Sequence, residues 1–315
     1  MPDTHSDASP TVSVVVPAAG DRASLARVVA VSAADPATLE VVVVDDTPAG
    51  DLDAPGGVRV VRGPRHGPAG ARQAGAEAAR GDVLLLLDDD VVPEPRLVSG
   101  HQGHHARERG IVVVGATPFT EPAGNGPDDV ASRIHAQEYE ERARRYRSGP
   151  EDPLPHLWGG NVSLRRADAL RVGIASDDFT AHYHEDRDFG LRLHAAGLRG
   201  VYDPALIAHH HYERTLRQWL ADARARGAAE AALHRLHVEA LGTVPDPGYV
   251  RDLHAPARAL VTLAERPRSG PVTRGGLELL VRHGGRLGLL RPQMAAARVL
   301  RRVELRRGAR AAARG

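Results

Sequence analysis

The sequence predicts an α/β fold: a Rossmann-like, mostly parallel central sheet flanked by helices, followed by a helical carboxy-terminal appendage. Three observations predict it. Short, continuously apolar runs alternate with helix-like stretches, the pattern of strands buried on both faces. Those runs end in proline or aspartate, where a parallel sheet presents its ligand-binding edge. Beyond about residue 213 the strand signals stop and the pattern turns helical.

Taken in order, residues 1–10 are polar and read as a flexible terminus. Thr11–Pro17 (TVSVVVP) is a β-branched run stopped by proline, a buried strand. Arg22–Ala34 places apolar residues at 25, 28, 29 and 31, a helix. Val41–Val44 is a second strand running into Asp45 and Asp46, and Val58–Val61 is a third. Gly67-Pro68-Ala69-Gly70 opens an Ala-rich helix ending near Gly81. Val83–Leu87 is the fourth strand, ending in Asp88-Asp89-Asp90. Ile111–Val114 is a further strand. Asp129–Arg147 is a helix without a wide apolar stripe and reads as a surface element. Trp158-Gly159-Gly160-Asn161 leads into strand Val162–Leu164. Asp186–Ala196 is a helix with Gly197 at its stop, and Val201–Ala208 is a strand leading into His209-His210-His211. Pro245-Asp246-Pro247-Gly248 marks a boundary.

Composition narrows the chemistry. The 315 residues are 42% hydrophobic, enough for one large domain plus an appendage, but only 3% aromatic, so Val, Leu and Ala must build the core. Without cysteine there is no disulfide scaffold, thiolate zinc site, iron–sulfur cluster or cysteine nucleophile. Every cation is arginine; with no lysine, the glycines between 63 and 70 cannot form a P-loop. The amino terminus lacks the signature of a secretory signal, and no apolar run approaches the ~20 residues that cross a bilayer. The expected location is therefore cytoplasmic. The net charge of +1 conceals an imbalance: residues 251–315 hold 15 Arg against four acidic residues, leaving residues 1–250 acidic.

Three strand ends and two clusters could carry chemistry. The Asp88-Asp89-Asp90 triple directly after four leucines is either a solvated turn or a site for a hard cation. In extended backbone Asp88 and Asp90 share a face, which suits Mg²⁺ or Mn²⁺. Glu185-Asp186 at a helix start is either ordinary capping or a carboxylate kept ionised by helix-end amides, as a general base requires. In the histidine triple, His209 and His211 share one face; they are either a polar strand end or the completion of a metal shell.

In this order, VSVVVP, VVVVDD, ARQAG, LLLLDDD with Pro93 following, GGN, HEDRDFGLRL and a histidine after the next strand resemble family 2 glycosyltransferases of GT-A fold, over roughly residues 11–215. The resemblance implies a nucleotide site at Pro17, Ala18, Asp45, Asp46 and Arg72. Asp88 and Asp90 would meet the ribose and the metal-bound diphosphate, with Asp89 a substitute. Gly159, Gly160 and Asn161 would lie beneath the donor sugar and acceptor. The metal, Mn²⁺ or Mg²⁺, would be held by Asp88, Asp90 and His209 or His211. Asp186 would be the base, with Glu185 supporting it or contacting the acceptor. The chain departs from the family pattern at Ala18-Ala19-Gly20 and at Gln73, which bears on base and ribose contacts.

The implied activity is metal-dependent, inverting transfer of a sugar from a nucleotide-diphosphate donor to a hydroxyl of a saccharide, lipid-linked or small-molecule acceptor, as in cell-envelope or polysaccharide biosynthesis. The rivals are a sugar-1-phosphate nucleotidyltransferase and an inactive nucleotide-binding scaffold. The expected division is a glycosyltransferase domain at 11–245, with a nucleotide half at 11–92 and an acceptor and metal half at 93–245, then a basic helical region at 246–315. That region reads as a packed or homodimer-forming appendage, or alternatively as a peripheral contact with anionic lipid at the inner face of the membrane. Nucleic acid is not an expected partner, since the tail lacks aromatic residues and the body is acidic.

Overall fold

The computed structural model describes residues 9–313 except 21–22, 65, 121, 149–151, 182, 213 and 244–245. The loose terminus expected at 1–10 falls mostly outside these residues, as do Arg22 and Pro245.

The strands are β1 (Val12–Ala18), β2 (Thr38–Asp45), β3 (Arg59–Arg62), β4 (Val83–Leu87), β5 (Val91–Pro93), β6 (Ile111–Ala116), β7 (Asn161–Arg165) and β8 (Arg199–His210). They form one sheet in the order β3-β2-β1-β4-β7-β6-β8-β5. The β3-β2-β1-β4 half is parallel, as its continuously apolar strands predict. β7 runs antiparallel to both β4 and β6, while β6 and β8 are parallel and β5 is antiparallel to β8.

Side chains leave a strand alternately on its two faces, and here both faces are buried. Val14, Val16, Val41, Val43, Leu85 and Leu87 pack with Leu25, Val28 and Val29 of helix α1 (Ala23–Ala33) and with Leu97 and Val98 of α3 (Leu97–Arg107). Val15, Val42, Val44, Leu84 and Leu86 pack instead on α2 (Gly67–Ala78), α5 (Arg166–Val172) and α6 (Glu185–Ala195). Helix α2 approaches the sheet closely at Gly75, where a Cβ would collide with Val15 and Val44.

The remaining helices are α4 (Pro127–Ser148), α7 (Leu216–Leu236), α8 (Val238–Leu241), α9 (Ala255–Glu265), α10 (Gly270–His283) and α11 (Leu290–Ala312). The chain divides into two compact units. One comprises residues 1–119, 143–180 and 185–211; the other comprises 120–142, 181–184 and 212–315. The chain crosses between the units several times, and for the last time at 211/212, before α7.

The core of the second unit gathers Trp219 of α7, Val261 of α9, Val281 of α10 and Val299, Leu300 and Val303 of α11. Val130, Ala131 and Ile134 join it, which corrects the reading of 129–147 as a surface helix. Its apolar stripe is confined to the first two turns, too short to register against the charged remainder. Helices α7 and α11 approach so closely that a Cβ on Gly227 or Gly308 would strike the facing backbone.

Candidate active site

The site lies in the first unit at the carboxyl end of β4. Arg72, in the second turn of α2, is buried there and its guanidinium forks between two carboxylates. Nη2 donates to Asp88 Oδ1 at 2.6 Å and Nη1 donates to Asp186 Oδ1 at 2.8 Å. Glu185 Oε1 lies 4.0 Å from Nη1. Two carboxylates nearly a hundred residues apart in sequence thus share one cation. Burial by itself would depress the Arg72 pKa; the charges of Asp88, Asp186 and Glu185 more than reverse this, so the group stays protonated.

Glu185 behaves differently. Burial, reinforced by the neighbouring Asp186 charge, raises its pKa well above the carboxylate range, against the opposing pull of Arg72. It is held toward its neutral form, with a proton to donate. Asp186 accepts from Arg72 and, through Oδ2, from the Gly159 backbone N–H at 3.0 Å. It sits in the first turn of α6, where the helix dipole also favours a carboxylate.

The glycine pair is required by close approach. A Cβ on Gly159 would fall 2.5 Å from Asp186 Oδ1. Gly160 has φ +94°, and a Cβ there would meet Asp88 Oδ2 at 3.0 Å. The Gly160 carbonyl also accepts from the Asp88 N–H at 3.4 Å. Ala69, Leu86, Leu157, Val162, Ile174 and Phe189 supply an apolar wall to the recess that Arg72, Gly159, Gly160, Glu185 and Asp186 line. Such a wall strengthens the electrostatic interactions inside it.

The other expected site residues are distributed as follows. Pro17 and Ala18 end β1 beside Val44 and Asp45 of β2, so the edge expected to hold a nucleotide is assembled. Asp45, however, is buried and already committed: Oδ1 accepts from the Thr47 N–H at 2.9 Å and the Thr47 hydroxyl at 2.6 Å, and Oδ2 lies 3.2 Å from Arg62. These hydrogen bonds outweigh its burial and hold its pKa below the usual value. Asp46 donates its backbone N–H to the Ala18 carbonyl at 2.8 Å, and its carboxylate lies against Gly63. Asp89 is buried, and its carbonyl accepts from the Ser24 hydroxyl at 2.7 Å.

Asn161 faces inward, away from the recess. Its amide donates to the carbonyls of Ala116 and Leu206 at 3.2 and 2.9 Å, and its oxygen lies 2.9 Å from His101 Nε2. It ties β6, β7 and β8 to α3 rather than presenting a side chain to a ligand.

The histidine triple also needs correction. His209 and His211 share a face as expected, but the ring that meets the Asp90 carboxylate is His210, with Nε2 3.4 Å from Oδ1. The antiparallel pairing of Val91 with His210 sets this register. His209 instead lies 3.0 Å from Glu94, and His211 meets Asp90 through its backbone N–H at 2.8 Å. The His210 ring also packs on Phe119, with centroids 4.6 Å apart. Among the described residues, no three Asp, Glu or His side chains gather into a ready metal cage.

Sequence reasoning missed the network behind the site. His101 Nδ1 and His105 Nε2 both lie 2.8 Å from the Ser163 hydroxyl, in full burial. Burial pushes these imidazoles down, His101 to about 3 and His105 to about 4. The i, i+4 spacing in HQGHH was the available signal, placing both rings on one face of α3.

A family model described as glycosyl transferase family 2 matches residues 13–172, just over half of the chain. The pre-mycofactocin glycosyltransferase of Mycobacterium tuberculosis is 28% identical over 237 residues, covering 72% of this chain and 48% of its own. The validoxylamine A glucosyltransferase of Streptomyces hygroscopicus is 31% identical over 150 residues, covering 41% of this chain and 36% of its own. The chain thus spans about half the length, or less, of these curated relatives. A solved mannosyltransferase from Pyrobaculum calidifontis, in complex with GDP-Man and Mn²⁺, superposes with TM-score 0.54 at 16% identity, covering 91% of this chain and 86% of that one. That likeness bears out the expected α/β fold of GT-A type.

Proposed function

This chain belongs to glycosyl transferase family 2, and we propose that it moves a sugar from a nucleoside-diphosphate donor to an acceptor hydroxyl with inversion at the anomeric carbon. One observation carries the reading. Arg72 joins Asp88, at the end of β4, to Asp186, at the start of α6, so the donor-side carboxylate and the candidate base share one site. The relatives' names support the reaction class: both are glycosyltransferases.

The division of labour follows from charge. Asp186 takes the proton from the acceptor hydroxyl as that oxygen attacks the sugar. Arg72 on Oδ1 and the Gly159 N–H on Oδ2 fix the orientation of that carboxylate, and each oxygen keeps a lone pair that can accept a proton. Glu185, held toward its neutral form, is a donor rather than a second base. One displacement at the anomeric carbon gives one inversion.

A divalent ion, when bound, would neutralise the charge that grows on the departing diphosphate. The mannosyltransferase of like fold is a complex with Mn²⁺. Asp90 and His210 fit such an ion here, a hard oxygen and an imidazole nitrogen 3.4 Å apart. Ions of this class take their remaining ligands from substrate phosphates and water, so a full protein cage is not required. Asp88, the first carboxylate of the D-x-D expected there, has its Oδ1 engaged by Arg72.

The test incubates the chain with UDP- and GDP-sugars and Mn²⁺, following nucleoside diphosphate release. Release that stops on chelation supports the reading. Pyrophosphate formed instead from a nucleoside triphosphate and a sugar phosphate would assign a nucleotidyltransferase. Inertness in both assays would leave a scaffold.

A further inference from the structure

The second unit displays apolar side chains that nothing in it covers. Helix α10 turns Leu277 and Val281 into the core but leaves Val272 79% and Leu279 59% exposed on its other side. These two are seven residues apart and so share a face. The turn that follows, between α10 and α11, projects Leu287 at 70% exposure, with Leu289 and Leu290 beside it at 42% and 38%. Gly288 makes that turn sharp, with φ +70°.

Around this apolar tip the charge has one sign. Arg282, Arg286 and Arg291 are exposed, and Glu278 is the one acidic residue between 270 and 292. Other tail arginines are neutralised within the unit: Arg301 pairs with Glu138, and Arg306 and Arg310 both pair with Glu265. Among the described residues no carboxylate pairs with Arg282, Arg286 or Arg291.

We infer that this tip docks on an anionic lipid bilayer, the leucines entering the headgroup boundary while the three arginines meet lipid phosphates. Charge complementarity selects this occupant. A second copy of the chain on the same face would oppose one arginine set to another, which is repulsive. A bilayer accepts both the apolar tip and the ring of cations. No helix of the described residues is long and apolar enough to cross a membrane, so the contact is peripheral.

The test is co-sedimentation of the full chain with phosphatidylcholine vesicles, with and without phosphatidylglycerol. Binding is expected only with the anionic lipid, weakening as salt rises. Replacing the arginines (Arg282→Gln, Arg286→Gln, Arg291→Gln) should lower partition roughly 100-fold, about fivefold per charge. Leu287→Ser with Leu289→Ser should lower it about tenfold or more. Both variants should keep the wild-type melting temperature and donor hydrolysis in vesicle-free solution, which separates this inference from the catalytic one. Equal sedimentation with neutral and anionic vesicles, or none with either, would overturn it. So would a wild-type dimer that the leucine variant converts to monomer.

Discussion

Removing the Arg72 guanidinium would leave Asp88, Asp186 and Glu185 facing one another without a cation. Stripping one partner from a buried charge cluster costs about 3–5 kcal/mol. Arg72→Met should therefore lose stability on that scale at neutral pH, and less in acid, where the carboxylates take up protons; denaturant titrations at two pH values measure this. Arg72→Lys keeps the charge but cannot fork between Asp88 and Asp186, so its loss should be intermediate. Glu185 makes the opposite prediction. Its folded pKa lies above its unfolded value, so its contribution is fully present in acid and is lost as pH rises through the folded pKa. Glu185→Gln should thus raise the melting temperature at pH 7, with the gain vanishing below about pH 4.5. At this scale Asp88, Asp186 and Arg72 were legible from ordered motifs. His210 was not, because alternation separates His210 from its neighbours without saying which face meets Asp90.

At the scale of elements, the buried histidines of α3 against β7 set a pH dependence. Unfolded imidazoles protonate near pH 6.5, whereas burial holds His101 at about 3 and His105 at about 4. Their stabilising contribution is whole above pH 6.5 and is lost as pH falls toward those values. Each histidine should cost up to about 1.4 kcal/mol per pH unit in that window. Chemical denaturation from about pH 7.5 to 5.5 should show the decline, and His101→Gln with His105→Gln should flatten it from a lower starting stability. β4 could be read directly because every residue in it is apolar, and β1 because only Ser13 interrupts a β-branched run that ends in proline. β5, α3 and α5 could not: β5 is three residues long, and α3 buries histidines where an apolar stripe would have announced a helix. Asn161 was misread for a related reason. Its amide looks like a ligand group in sequence, and only the convergence of Ala116, Leu206 and His101 turns it inward.

Across the whole molecule, sequence charge separated an acidic body from a basic tail, and the second unit accounts for part of that excess by internal pairing. The change to helical character beyond about residue 213 marks the last crossing into the second unit, but the inclusion of residues 120–142 and 181–184 in that unit was not legible, because no local pattern distinguishes them from the chain on either side. What was legible was the convergence of distant motifs at one strand edge, since a parallel sheet brings its strand ends together whatever lies between them. The proposed mechanism requires Asp186 to act in the reaction and not in donor binding. Asp186→Asn, compared with wild type by calorimetry of nucleoside diphosphate with Mn²⁺ and by steady-state turnover, separates the two. Affinity should stay within about threefold while turnover falls by roughly 10²–10⁴. Unchanged turnover, or turnover and affinity falling together, would contradict it.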